Sequence, residues 1–126
     1  QMCIRDSFGV DPDAVDMTPA TAAVVARIDE LGDTHAEALV GMFYVLEGST
    51  NGGRFIARVL GKAYDLAGDG LSYFDPYGDD QPDRWAEFKH RMNRIAWTDA
   101  DCDAMVAAAE EMFRAIAAVS DSVVEA

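Results

Sequence analysis

Gly48, Gly52 and Gly53 fall within six residues of a stretch that otherwise favours a helix. Each glycine costs on the order of 1 kcal/mol against alanine inside a helix, so three together ask for a reason. A plain helix–loop–helix turn is one. Against it, the flanks Tyr44-Val45-Leu46-Glu47 and Arg54-Phe55-Ile56-Ala57 hold no proline and no polar loop, which favours one bent helix over two. A glycine-rich bend removes side-chain bulk and lets a flat ligand meet main-chain amides and carbonyls. The bend suits a planar cofactor. The Gly-x-x-x-Gly-Gly spacing follows a helix instead of a strand, so it is not a dinucleotide-binding phosphate loop.

Other chemistry-bearing residues are sparse. His35 sits in a polar link and His90 beside Lys89, and each reads as a solvated histidine with no metal. Cys3 and Cys102 make neither a disulfide framework nor a zinc site, and Cys102 lies on an apolar stripe, a poor place for a nucleophile. Arg54, Arg58 and Lys62 recur at i, i+4 and i+8 on one helix face. They belong to a middle region, residues 54 to 94, with seven basic and seven acidic side chains, whereas residues 1 to 53 carry two and nine. An anionic ligand would meet the middle. The whole chain of 126 residues has net charge −13, which argues against nucleic acid as the principal partner. No apolar run approaches the roughly 18 residues of a membrane span, and a reducing cytoplasm is the expected setting.

The elements that must position these residues are helical. Thr18-Pro19 puts a capping hydroxyl before a proline, and Val24, Val25, Ile28 and Leu31 follow at helical spacing up to Gly32. Ala36 to Leu46 is apolar except for Glu37, which predicts burial on nearly all sides. The pattern resumes after the glycines at Phe55, Ile56, Val59, Leu60 and Ala63. Gly68-Asp69-Gly70 and Pro76-Tyr77-Gly78-Asp79-Asp80 are turn clusters, and Leu71 to Phe74 between them is too short for a strand. Pro82 opens a helix carrying Trp85, Phe88, Met92 and Ile95. Thr98 caps a last one, with Asp99 and Asp101 in its first turn, that buries Cys102, Met105, Val106, Ala109, Met112, Phe113 and Ile116. Four helices make the fold class all-α.

The segment Tyr44-Val45-Leu46-Glu47-Gly48-Ser49-Thr50-Asn51-Gly52-Gly53 resembles the distal-helix motif of biliverdin-producing heme oxygenases, particularly the bacterial branch that reads Glu-Gly-Ser. Lys62-Ala63-Tyr64-Asp65-Leu66, Gly68-Asp69-Gly70-Leu71-Ser72-Tyr73-Phe74, Phe88-Lys89 with Arg91-Met92-Asn93, and Glu110-Glu111-Met112-Phe113 follow in that family's order. The resemblance covers about residues 18 to 120. It implies a heme-oxygenase-like helical bundle, its C-terminal part, with a glycine-kinked distal helix. Heme would be both cofactor and substrate, opened with O2 and electrons to biliverdin, CO and ferrous iron. On that reading Gly48, Ser49 and Gly52 form the catalytic distal surface. Gly48, Gly52, Gly53, Lys89 and Phe113 contact heme, with Lys89 toward the propionates and Phe113 at the porphyrin edge. Arg54, Arg58 and Lys62 meet a ferredoxin- or flavoprotein-type electron donor. Ser49 stands where many members carry a carboxylate.

The family's axial histidine lies well upstream of the glycines, and neither His35 nor His90 is at that position. Residues 1–7, Gln-Met-Cys-Ile-Arg-Asp-Ser, fit no later pattern and look adapter-derived. The expectation is therefore an N-terminally truncated copy, with 8–126 a heme-oxygenase-like domain lacking the proximal helix. Two other readings stand beside it: a non-catalytic heme- or bilin-binding helical module, and an acidic helical interaction domain whose glycines merely turn the chain.

Overall fold

A computed structural model of the chain describes residues 16–66 and 68–124. The segment 1–7 and Cys3 lie outside them. Four α-helices run in order: α1 Pro19–Thr34, α2 Ala38–Tyr64, α3 Gln81–Asn93 and α4 Asp99–Val124, with short 3-10 turns at Gly68–Leu71 and Gly78–Asp80. Among the described residues there is no strand, and no helix is long and apolar enough to cross a membrane.

Local chemistry accounts for the helix ends. The Thr18 hydroxyl accepts from the Thr21 N–H at 3.2 Å, with Pro19 opening the first turn. α1 continues past Gly32 to Thr34, whose hydroxyl donates to the Glu30 carbonyl at 2.7 Å. At α4 the cap is reciprocal: Thr98 Oγ1 accepts from the Asp101 N–H at 3.2 Å, and Asp101 Oδ2 accepts from the Thr98 N–H at 2.9 Å.

The fold gathers into two compact units, Glu47–Ile95 and Asp16–Leu46 with Ala96–Ala126, so α2 runs through both. In the second unit α1 packs on α4. Its core is Leu31, Ala38, Met42, Val45, Ala108 and Met112. Arg27 reaches from α1 to Glu111 of α4 at 2.9 Å and also holds Glu30 at 2.7 Å. Gly41 decides how closely α2 meets α4: a Cβ built there would overlap the main chain of Met105. In the first unit the buried residues are Glu47, Gly53, Ala57 and Gln81, a set with little apolar bulk.

Two burial expectations are corrected. Ala36 to Leu46 buries one face only, through Ala38, Met42 and Val45, while Phe43, Tyr44 and Leu46 are exposed. On α4, Met105, Ala108 and Met112 are buried, but Cys102, Val106, Phe113 and Ile116 are exposed. Periodicity marks a face as apolar without showing that anything covers it.

Two outcomes follow. Gly41→Ala lowers stability by roughly 1–3 kcal/mol through overpacking, although helix propensity alone gives the opposite sign; urea denaturation decides. The Thr98 N–H, then the Thr98 hydroxyl, hold the Asp101 carboxyl below its ordinary value of 3.8. That contribution is complete above the ordinary value and is lost as pH falls through the lowered one. The stability advantage of the wild type over Asp101→Asn, followed by thermal melts, is therefore largest near neutrality and shrinks in acid.

Candidate functional site

The glycine segment lies inside α2, which runs unbroken from Ala38 to Tyr64. One helix was expected over two, and one is found, but the expected interruption is absent: residues 48–53 keep helical hydrogen bonding. What is unusual is the extra donors on that ladder. Thr50 Oγ1 donates to the Glu47 carbonyl at 2.5 Å and Asn51 Nδ2 to the Gly48 carbonyl at 3.1 Å. Side-chain bonds of this kind compete with helical N–H groups for the same oxygens.

The glycines of α2 divide by their neighbours. Gly41 and Gly53 are required by packing: a Cβ at Gly53 would overlap the Phe74 carbonyl, just as one at Gly41 would overlap Met105. Gly61 is tight, with Leu71 at 3.1 Å. A Cβ at Gly48 would lie in ordinary contact distance of the Trp85 ring edge, 3.5 Å, and one at Gly52 would meet nothing within 4 Å among the described residues. Gly48 and Gly52 are thus the two that packing does not demand, and they share a helix face at i and i+4. Gly53, expected against a cofactor, is spent on the protein's own backbone. Trp85 covers the main chain at Gly48, while the main chain at Gly52 is open.

Around this face the first unit supplies polar and aromatic groups. Glu47, 8% exposed, accepts from the Tyr77 hydroxyl at 3.2 Å. Burial first, then the Glu47 charge and that hydrogen bond, raise the Tyr77 pKa, so Tyr77 holds its proton as a donor. Trp85 stacks on Phe88 with centroids 5.6 Å apart, and the exposed Lys89 ammonium lies 5.4 Å from the Trp85 ring centroid. Ser49 is exposed. Phe113, 65% exposed, belongs to the other unit.

The basic stripe is only partly as expected. Arg54 is held by Asp75 and Asp79, both at 3.3 Å, which leaves Arg58 and Lys62 as exposed cations with no ion pair among the described residues. Sequence reasoning missed this because the carboxylates come from a turn more than 20 residues away. It also missed Gln81, buried against the glycine segment, for which a glutamine before a proline gives no signal.

His35 is exposed and bonds Glu37 at 3.1 Å; His90 is exposed on α3. Among the described residues no three His, Cys, Asp or Glu side chains form a metal-holding group. A cleft of about 170 Å³ in the second unit, lined by Ala20, Val24, Met42 and Ala115, is below the roughly 300–1,000 Å³ of ordinary ligand pockets and too small for a tetrapyrrole. Gly52 thus leaves room beside the main chain among the described residues, and the two described histidines, His35 and His90, both lie exposed away from it in sequence.

An all-α chain with a ligand-accessible glycine face is the class this geometry defines. The heme oxygenase family model matches residues 9–122, and the chain belongs to that family. It is similar to heme oxygenase 1 of Rattus norvegicus, 34% identical over 90 residues covering 68% of this chain and 31% of that protein. It is also similar to a heme oxygenase of Xanthomonas campestris pv. campestris (strain 8004), 40% identical over 74 residues covering 58% of this chain and 44% of that protein. The chain thus spans less than half the length of these relatives. No solved structure matches.

Gly53→Ala is expected to destabilise by roughly 1–3 kcal/mol, whereas Gly52→Ala, one residue away, is neutral or stabilising by up to about 1 kcal/mol. Chemical denaturation of the two variants tests the contrast.

Proposed function

We propose that this chain forms the distal wall of a heme oxygenase of the biliverdin-producing, Glu-Gly-Ser type, with heme as its substrate. The observation that carries this reading is the open main chain at Gly52, one turn beyond Gly48, on a helix whose other glycines are consumed by packing. Heme, when bound, supplies the iron and porphyrin that react with O2, drawing electrons from an external donor, to give biliverdin, CO and ferrous iron.

The chain's own residues orient and bind. Gly52 admits a flat ring against the peptide, and Gly48 does so where Trp85 gives way. Ser49 brings an exposed hydroxyl beside that face, where it can order water. Lys89 exchanges its contact with Trp85, worth about 0.5–1 kcal/mol at an exposed site, for a charge-assisted bond to a propionate. Arg58 and Lys62 attract an acidic ferredoxin- or flavoprotein-type reductant, with Arg54 fixed by its own carboxylates. Axial ligation falls to a donor other than His35 and His90.

Because that donor is outside this set, the test supplies imidazole. Hemin titrated into the chain with imidazole present gives a saturable Soret band, and Gly52→Leu weakens it at least tenfold, about 1.4 kcal/mol, with far-UV circular dichroism unchanged. No saturable band, or identical titrations, would sink the reading.

A further inference from the structure

Gln81, in the first turn of α3, is the most completely buried side chain among the described residues at 2% exposure. A primary amide is buried at a cost unless it is hydrogen-bonded. Its Nε2 donates to Thr50 Oγ1 at 2.6 Å and to Asn51 Oδ1 at 3.3 Å. Each partner passes the bond on: Thr50 Oγ1 donates to the Glu47 carbonyl at 2.5 Å, and Asn51 Nδ2 to the Gly48 carbonyl at 3.1 Å.

Proton counting fixes the polarity of both relays. The one hydroxyl hydrogen of Thr50 goes to the Glu47 carbonyl, so toward Gln81 that oxygen can only accept. Asn51 turns its NH2 to the Gly48 carbonyl and presents its oxygen to Gln81. The atom facing them must carry two donors, which the amide nitrogen does and a carboxylate does not. Gln81 Oε1 is buried with no hydrogen-bond partner among the described residues. The donors are what Thr50 and Asn51 require of this position.

In an α-helix the carbonyls of Glu47 and Gly48 are the acceptors for the N–H groups of Asn51 and Gly52. We infer that Gln81 is a positioning residue: through Thr50 and Asn51 it places competing donors on those two carbonyls and so governs how firmly the Gly52 N–H is held within the helix. Each of those two carbonyls thus faces a side-chain donor as well as the helical N–H four residues on. The consequence for substrate rests on the reading of the Gly52 face as a heme wall; the hydrogen-bond role does not.

Native-state hydrogen exchange tests it. Removing the relay relieves the competition for those carbonyls, so in Gln81→Met the Asn51 and Gly52 amides gain at least threefold protection relative to those of Ala57–Val59 in the same helix. A purely structural role would lower protection along the whole helix and leave that ratio unchanged, which would overturn the inference. Asn51→Ala, at an exposed position that leaves the core intact, raises the ratio at Gly52 alone; no change there overturns it equally. Hemin titration with imidazole is the second arm. Weaker binding by Gln81→Met, together with the altered exchange, supports both claims. If the wild type shows no saturable binding, the heme reading falls while the exchange ratio still decides the role of Gln81.

Discussion

Close approach of one backbone to another is the constraint on which α2 depends. At Gly41 the main chain of Met105 occupies the space a Cβ would need, and at Gly53 the Phe74 carbonyl does. No other residue satisfies either position without moving a helix or a turn. These demands explain why a 27-residue helix tolerates several glycines, and they also show which ones packing leaves unexplained. Gly48 and Gly52 carry the full propensity cost of about 1 kcal/mol each with no steric return. The proposed role of these two positions as a wall against a flat ligand would give that cost a reason.

The capped N-terminal ends of α1 and α4 were legible in the sequence because their chemistry is local. Thr18-Pro19 and Thr98 with Asp101 cap the helices as their spacing implies, and the hydrogen bonds close within three residues. Of the candidate site, the cluster Gly48, Gly52 and Gly53 stood out in the sequence, but not which of the three the packing requires. What lies between distant residues was not legible. Arg54 reads as one member of a basic stripe until Asp75 and Asp79 turn toward it, and Gly53 reads like Gly52 until Phe74 arrives. Gly41 was hidden inside an apolar run, where small size matters only once α4 is beside it.

Burial was overestimated for one physical reason. Phe43, Tyr44, Leu46, Val106 and Phe113 are apolar at helical spacing, and the sequence assigns such side chains to a core. Their exposure means that an amphipathic pattern was read correctly as a face and incorrectly as a covered face. An exposed apolar face of this kind is where a further surface can dock.

The two units are stabilised by different forces, and the difference bears on the site. One has a contiguous apolar core, Leu31, Ala38, Met42, Val45, Ala108 and Met112, whose stabilisation grows with area and is indifferent to angle. The other buries Glu47 against Tyr77 and Gln81 against Thr50 and Asn51, bonds that contribute about 1 kcal/mol net apiece but specify direction. A wall that must present a particular carbonyl and a particular N–H to a planar ligand needs direction more than bulk stability. The glycine segment falls in the hydrogen-bonded unit, in keeping with the proposed role: apolar packing holds a helix in place, whereas directional hydrogen bonds constrain how its peptide groups are aimed.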